Sequence, residues 1–360
     1  MAIWQQASGD QDRDYAALCI RWGVILNGPG RFGPYPSCRS VVPHEITKRK
    51  ATDLRRFAVD MKAGETVLLR MGTKQVHAVG LIVGDYEWHD GFSDVDGWDL
   101  QHVRRVSWYW HSLDAPKEFE TYELKQGDTT QLLGDNAVKV RGWLKTIPVP
   151  PNPAPLPDLP SPGKSVTLTE VSSHLFDHGV ASAAIAQLLE DVGELVRIGT
   201  WYTRTKPPSE HETVAYLVLP LLRSLGWTPQ KMGVEWHHID VALFDRLPRE
   251  DANLCVVVEA KQMNYSCLSA HAQAVGYANS RPSCNRLILT DGLRYAIYTA
   301  ADGRFKLHAY LNLAALRDSY PVLDCKGAQA ALLAMAPEWR PGEIATNPNA
   351  PAVDVFPTAA

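Results

Sequence analysis

The stretch "CVVVEAKQM", residues 255–263, ends a run of β-branched residues in a carboxylate and an ammonium group two positions apart. Three successive valines predict the buried interior of a sheet. On such a strand Glu259 and Lys261 share one face, and Ala260 points to the other. Burying both charges is costly unless they hold something. We therefore expect this strand end to carry chemistry.

Two further carboxylates stand where apolar residues would be expected. Asp240 interrupts the strand-like run "HHIDVALF", and Glu210 begins a helical stretch on the same stripe as Leu221. Magnesium takes oxygen ligands and is commonly held by one or two carboxylates, and a nearby lysine can orient or deprotonate an attacking water. The pattern indicates a Mg²⁺ site, in which Mn²⁺ could substitute, with Asp240, Glu259 and Glu210 as ligands. Lys261 would orient or deprotonate the attacking water.

The elements that position these residues are predicted from periodicity and breakers. "SEHETVAYLVLPLLRSLGW" predicts a helix with a kink at Pro220, preceded by a helical segment over residues 169–202. Strands are predicted over residues 234–244 and 254–260, then a helix over 268–280 and two more strands over 286–300. This alternation predicts an α/β fold, with a mixed sheet and a helix across it.

Asp240 followed after a loop by "VEAK" resembles the PD-(D/E)XK nuclease signature, and the leading helix is similar to the type I restriction-subunit branch of that superfamily. "AQAVGYA" and "LILTDGLRYAIY" resemble the helix and closing hairpin of the same branch, so the resemblance spans about residues 205–300. It implies a restriction-endonuclease-like core with a helical preface and catalytic Asp240, Glu259 and Lys261. The leading glutamate is Glu210 or Glu212, the helical stripe favouring Glu210. The side chains that would assist are Gln262 and Gln273.

The first part of the chain looks like the PUA-like group that includes EVE and YTH domains. The resemblance rests on "VGLIVGDYEW" and "HVRRVSW", with "DLRRFAVDMKAGETVLL" ahead of them, and covers residues 15–110. It implies a small α+β barrel that holds a flipped-out modified base between aromatic side chains. Candidates for that pocket are Trp22, Trp88 and Trp98, and candidates for phosphate contacts are Arg55, Arg56, Arg104 and Arg105. A packed β core would equally use the indoles, and a solvated helix face the arginines.

The proline-rich segment at residues 146–165 predicts a stiff, extended spacer. It separates a base-reading domain over residues 1–145 from a nuclease domain over 166–338, and residues 339–360 are expected to form a disordered tail. The "GKS" at residues 163–165 lacks the upstream glycine and strand of a phosphate-binding loop, so no nucleotide cofactor is expected.

Composition narrows the class of protein. The 360 residues are 45% hydrophobic with a net charge of −4, and the six cysteines form no CxxC pair. No apolar run reaches the length of a membrane span, and the first residues lack the pattern of a signal peptide. We expect a cytoplasmic protein with free thiols and no membrane partner.

These features lead to the hypothesis of a modification-dependent, type IV-like restriction endonuclease. It would hydrolyse phosphodiesters of double-stranded DNA with Mg²⁺, in defence against phage and other foreign DNA. Cutting both strands needs two active sites, so a homodimer or a transient pairing of two chains is expected. The alternatives are a repair or RNA-directed nuclease, and a nucleic-acid-binding protein whose nuclease fold is inert.

Overall fold

The computed structural model describes residues 2–10, 12–40, 46–120, 123–125 and 127–340. The chain divides into two compact units, one made of residues 1–162 with 321–323 and the other of residues 163–320 with the chain from residue 324 onward. Most of the segment expected to be a disordered tail, from residue 341 onward, lies outside the described residues.

In the part of the chain that the structure describes, the first unit is built on one mixed sheet with three α-helices. Its helices are α1 (Ala16–Trp22), α2 (Lys48–Arg55) and α3 (Val138–Leu144). Its strands are β1 (Ile3–Ala7), β2 (Val24–Asn27), β3 (Thr66–Met71), β4 (Gln75–Trp88), β5 (His102–His111), β6 (Lys117–Glu118) and β7 (Thr130–Leu132). The strand order is β2-β5-β4-β3-β1-β7, with β6 on β4, and only β1 and β3 run parallel.

Within the described residues this sheet is open between β2 and β7, whereas the sequence predicts a closed barrel. Side chains cross the gap instead. Gln6 donates to the Leu26 carbonyl at 2.7 Å, and Asn27 donates to the Thr130 hydroxyl at 3.1 Å. The Thr130 backbone N–H is taken by the Asp53 carboxylate of α2 at 2.7 Å. Because side chains satisfy the polar groups at the gap, no backbone ladder is required there.

The proline-rich segment packs against the first unit, where the sequence predicts a spacer. The Ala154 N–H donates to the Ser107 hydroxyl at 2.9 Å, and Arg105 donates to the Pro157 carbonyl. Leu156 and Pro157 lie against Gly23 at the end of α1. Gly23 has φ of +59°, so it closes the helix in the left-handed conformation that glycine adopts most easily.

The second unit is also mixed α/β. Its helices are α4 (Leu168–Asp177), α5 (Ser182–Arg204), α6 (Glu210–Thr213), α7 (Leu219–Ser224), α8 (His271–Ala278) and α9 (Ala328–Met335). Its strands are β8 (Met232–Trp236), β9 (Ile239–Phe244), β10 (Leu254–Ala260), β11 (Arg286–Thr290), β12 (Arg294–Ala301), β13 (Arg304–Asn312), β14 (Ser319–Tyr320) and β15 (Cys325–Lys326). Their order is β14-β15-β13-β12-β11-β10-β9-β8.

The centre of this sheet carries the charged residues singled out above. Strand β10 pairs antiparallel with β9 and parallel with β11, and α8 lies in the connection between β10 and β11. Every residue of β10 is buried. The apolar core under the strands is continuous with α4, α5, α7 and α9, so the strand ends are held rigidly by packing.

Two predicted elements differ in detail from the structure. The single strand expected over residues 234–244 is a hairpin, because Glu235, His237 and His238 adopt positive φ values of 53°, 48° and 70° and reverse the chain between β8 and β9. The helix beginning at Glu210 widens into a π-turn at Val214–Val218 before it reaches Pro220. No helix of the described residues is long and apolar enough to cross a membrane.

Candidate active site

The ends of β9 and β10 bring Asp240 and Glu259 together. Val241 and Val258 are partners in the antiparallel ladder, so the two acids lie one residue further along adjacent strands. The Asp240 carboxylate accepts a hydrogen bond from the Ala260 backbone N–H at 2.7 Å. Glu259 is 1% exposed, and its Oε1 atom has no hydrogen-bond partner. A buried carboxylate oxygen without a donor is a position that a bound cation would satisfy.

The electrostatics of this pair follow from burial. The pKa of Glu259 is raised to about 8, first by burial and next by the adjacent Asp240 carboxylate, while Lys261 opposes the shift. Burial also raises the pKa of Asp240, against the hydrogen bond from Ala260. Two carboxyl groups that resist ionisation side by side are stabilised in the charged form by a cation.

Lys261 lies just past the end of β10 and is partly exposed. Its backbone N–H donates to the Thr290 carbonyl on β11 at 2.7 Å, which fixes the position of its main chain. Its Nζ donates to the Gln273 Oε1 atom at 3.2 Å, and Gln273 in turn reaches the Tyr277 hydroxyl at 3.4 Å. Gln273 therefore orients the lysine from α8.

The two glutamates of the leading helix have different surroundings. Glu212 closes a capping box, accepting from the Ser209 N–H at 2.8 Å and from the Ser209 hydroxyl at 2.9 Å. Glu210 is exposed and raises the pKa of both Asp240 and Glu259. The capping bonds occupy Glu212, whereas Glu210 acts electrostatically on the pair.

The expected three-carboxylate cluster is not assembled. Within the described ranges, no group of three or more histidine, cysteine, aspartate or glutamate side chains is gathered to hold a metal ion. Asp240 and Glu259 remain as a compact pair, and Mg²⁺ commonly binds one or two carboxylates while keeping several waters. The pair fits a hydrated divalent cation, with Glu210 at the outer edge.

Two contacts hold the helix of Glu210 near the strand ends. Gln262 donates from its side chain to the Pro208 carbonyl at 2.8 Å, so it fixes the approach to α6. Gly292, with φ of +90°, lets the β11–β12 turn approach the same helix. A Cβ atom at this position would lie 2.6 Å from Leu217 and 2.9 Å from Thr213. Any other side chain at position 292 would push this helical segment away.

Strand periodicity over residues 234–244 would place Glu235 on the face opposite Asp240, whereas the β8–β9 hairpin brings the two residues across from each other. Glu235 raises the pKa of Asp240 and lies 3.3 Å from the His211 ring nitrogen. The hairpin that brings it there depends on three positive φ angles at non-glycine residues, which no periodicity indicates. The consecutive histidines in "EWHHID" were the only available signal of an irregular turn.

The three tryptophans proposed as a base pocket have separate surroundings in the first unit. The Trp22 indole packs on the apolar core and donates to the Val322 carbonyl at 3.1 Å. Trp98 also packs on that core, with the Arg13 guanidinium 4.9 Å from its ring centroid. Trp88 instead meets the His102 ring edge-on at 5.2 Å.

Trp88 belongs to a row of aromatic rings where β4 ends and β5 begins. Tyr86 lies between Tyr35 at 6.4 Å and His102 at 5.8 Å, and its hydroxyl lies 2.9 Å from the His102 Nδ1 atom. Burial lowers the pKa of His102 to about 4, so the imidazole is neutral at physiological pH. The positive charge of Lys50, on α2, further lowers the pKa of His102. The Lys50 Nζ atom donates to the Asn27 Oδ1 atom at 2.6 Å.

The arginines predicted to contact phosphate are mostly engaged within the protein. Arg104 is 2% exposed and donates to the Phe57, Ala58 and Gly84 carbonyls, which is a structural role. Arg56 pairs with Asp128 at 2.7 Å and Arg55 with Asp60 at 3.2 Å. Arg105 donates to the proline-rich segment. The Arg55 side chain is 59% exposed.

Part of the first unit matches a known protein family. A family model described as a domain of unknown function (DUF8426) matches residues 37–132, about a quarter of the chain. No curated protein matches the sequence. The matched segment runs from the turn before α2 to the end of β7 in the first unit, and the strand ends that carry Asp240, Glu259 and Lys261 lie outside it.

Proposed function

We propose that this protein is a divalent-metal-dependent endonuclease that hydrolyses phosphodiester bonds of DNA, with the nuclease site at the ends of β9 and β10. The observation that carries the proposal is the buried Glu259 oxygen without a donor, beside Asp240 and followed by Lys261. The order of α6–α7, β9, β10, α8 and the β11–β12 hairpin supports membership of the PD-(D/E)XK superfamily.

Asp240 and Glu259 would hold the cation, Mg²⁺ or Mn²⁺, with Glu210 at the outer edge of the site. When bound, such an ion supplies stabilisation of the charge that develops on the phosphoryl group. Lys261 donates a hydrogen bond from its Nζ atom that orients the attacking water. The new P–O bond forms as the bond to the leaving oxygen breaks; the water releases a proton to solvent, and the leaving oxygen takes one up from solvent. Gln273 keeps the lysine directed at that water.

The first unit supplies the substrate preference in this proposal. The aromatic row of Tyr35, Tyr86, His102 and Trp88 offers ring surface, and the partly exposed Lys50 lies beside it. An extruded base is commonly read by stacking and by hydrogen bonds to its edge. A PUA-like reader joined to a nuclease is a modification-dependent restriction enzyme, which acts on foreign DNA bearing altered bases.

Metal removal and substrate choice test the proposal directly. We expect cleavage of duplex DNA with Mg²⁺ or Mn²⁺, no cleavage in EDTA, and faster cleavage of duplexes that contain modified bases. Products are resolved on denaturing gels with matched unmodified duplexes and single-stranded RNA as controls. A failure to cut any duplex in either metal would contradict the nuclease assignment, and equal cutting of both duplexes would remove the reader.

Trp88 and Trp22 provide a matched pair for the reader. We expect Trp88→Ala to weaken the preference for modified over unmodified duplex by about 1–3 kcal/mol, the usual range for one base stacked on an aromatic ring. Trp22→Ala removes a core contact, so it should lower the free energy of unfolding and leave the preference unchanged. Competition binding and urea denaturation measure the two effects, and the reverse outcome would move the reading surface to Trp22.

A further inference from the structure

Helix α5 is 23 residues long, and one side of it is exposed along its whole length. One face of it, which we call the α5 outer face, spans an arc of about 120° at 100° per residue. It consists of Glu190, Gly193, Glu194, Arg197, Thr200, Trp201 and Arg204, all exposed. Within this face Trp201 is 58% exposed, a large apolar side chain without cover.

Charge is segregated along the α5 outer face. Glu190 and Glu194 lie toward its N-terminal end, and Arg197 and Arg204 toward its C-terminal end. A second copy packed antiparallel places acidic groups opposite basic ones, whereas a parallel copy places like charges together. The charge pattern is therefore complementary to itself in one orientation.

A two-fold axis at Arg197 puts the largest features of the face in register. Glu190 then lies opposite Arg204 of the second copy, seven residues from the axis on either side. At the axis Arg197 faces Arg197 of the second copy, and in each chain Glu194 lies 3.3 Å from Arg197 and offsets this charge. Trp201 lies opposite Gly193 of the second copy, and the position of a Cβ atom on Gly193 has no atom within 4 Å. The indole and the open glycine surface therefore face each other.

A groove borders the α5 outer face and enlarges the apolar surface. It has a volume of about 440 Å³, with Leu195, Ile198 and Pro220 among its lining residues, and Asp191 and Glu194 at one side. Tyr216, on the π-turn, also lines it and is 53% exposed. Apolar surface bordered by charges is the usual composition of a protein–protein interface.

We propose that the chain forms a homodimer through antiparallel pairing of the α5 outer faces, with Trp201 of each copy covering Gly193 of the other. The dimer is measured in EDTA and without DNA, so its outcome is independent of nuclease activity. This dimer would supply the interface between the two active sites that the proposed function requires.

Charge exchange tests this interface in the full chain by sedimentation over micromolar concentrations. We expect Glu190→Arg or Arg204→Glu alone to weaken dimerisation about tenfold or more, because each places like charges opposite. An equal mixture of the two variants should form heterodimers, and one chain with both changes should recover the parental dimer. Arg304→Glu, at the exposed first residue of β13, makes the same charge change elsewhere and should have no effect.

Gly193→Leu keeps the test independent of folding. Leucine favours helix over glycine, so this variant should melt no lower than the parent, and yet its side chain should exclude the indole and weaken dimerisation. Trp201→Ala should weaken it as well. A parent chain that is monomeric at every concentration overturns the proposal. The proposal is also overturned if Glu190→Arg and Arg204→Glu each abolish association and an equal mixture of the two variants does not restore it.

Discussion

Lys261→Ala should lower the rate of Mg²⁺-dependent DNA cleavage by about 10³-fold, within the range of 10²–10⁴ that general acid–base catalysis supplies. The lysine is the cationic side chain at the end of β10, and both of its fixed contacts, to Thr290 and Gln273, direct it past the strand end. Single-turnover cleavage measures the loss. The affinity for Mn²⁺, measured by calorimetry, should change little because lysine is not a ligand.

Two variants bracket this result. Lys306→Ala removes an exposed lysine that pairs with Asp302 at 2.6 Å, and should leave cleavage unchanged. Gln273→Ala removes only the group that orients Lys261, so we expect a loss of about tenfold in cleavage, smaller than that of the lysine itself. If Lys261→Ala cleaves at the parental rate, the water is activated by another group and the proposed role of the lysine is wrong.

Glu259→Gln should make the protein more stable and unable to bind metal. The folded-state pKa of Glu259 is raised to about 8 from 4.5, so the folded protein holds a proton that the unfolded chain releases. Stability therefore falls as pH rises between these two values, and the penalty is complete above pH 8. Since one pKa unit corresponds to about 1.4 kcal/mol, the difference between 4.5 and about 8 sets an upper value of about 5 kcal/mol for the increase in the free energy of unfolding at pH 9.

Urea denaturation in EDTA at pH 4 and pH 9 measures this effect, which should be small at pH 4 because both states are then protonated. Adding Mg²⁺ or Mn²⁺ at pH 9 should stabilise the parent and not the variant. Glu235→Gln, an exposed carboxylate near the same site, should produce neither change beyond about 0.5 kcal/mol. A variant less stable than the parent at pH 9 would mean that Glu259 is already compensated by a partner within the protein.

The sequence by itself determined the elements around the proposed site. "LCVVVEA" predicts a buried strand, and the structure buries all seven residues of β10. The mixed α/β class is also predicted, because strands and helices alternate over residues 209–300 and each pattern has its own period. The helix that carries Glu210 and the helix that carries Gln273 were both located from periodicity, within a few residues.

Only the tertiary structure decided which side chains meet. The β8–β9 hairpin arises from positive φ at His237 and His238, and it places Glu235 near Asp240 without any periodic signal. The sequence does not distinguish the surroundings of Trp22, Trp88 and Trp98. In the structure Trp22 and Trp98 pack on the apolar core, and Trp88 lies in the row of aromatic rings. Arg104 reads as a basic surface residue but is buried with three carbonyl acceptors.

The physical reason for this division is the range of the interactions. Periodicity records which face of one strand or helix is buried, a property of neighbours along the chain. The capping box of Ser209 and Glu212 is equally local. A serine followed three residues later by a glutamate already indicates it in the sequence. Convergence of Asp240 with Glu259, and of Gly292 with the Glu210 helix, depends on strand register and close packing between distant segments. Those contacts are fixed only when the core is assembled.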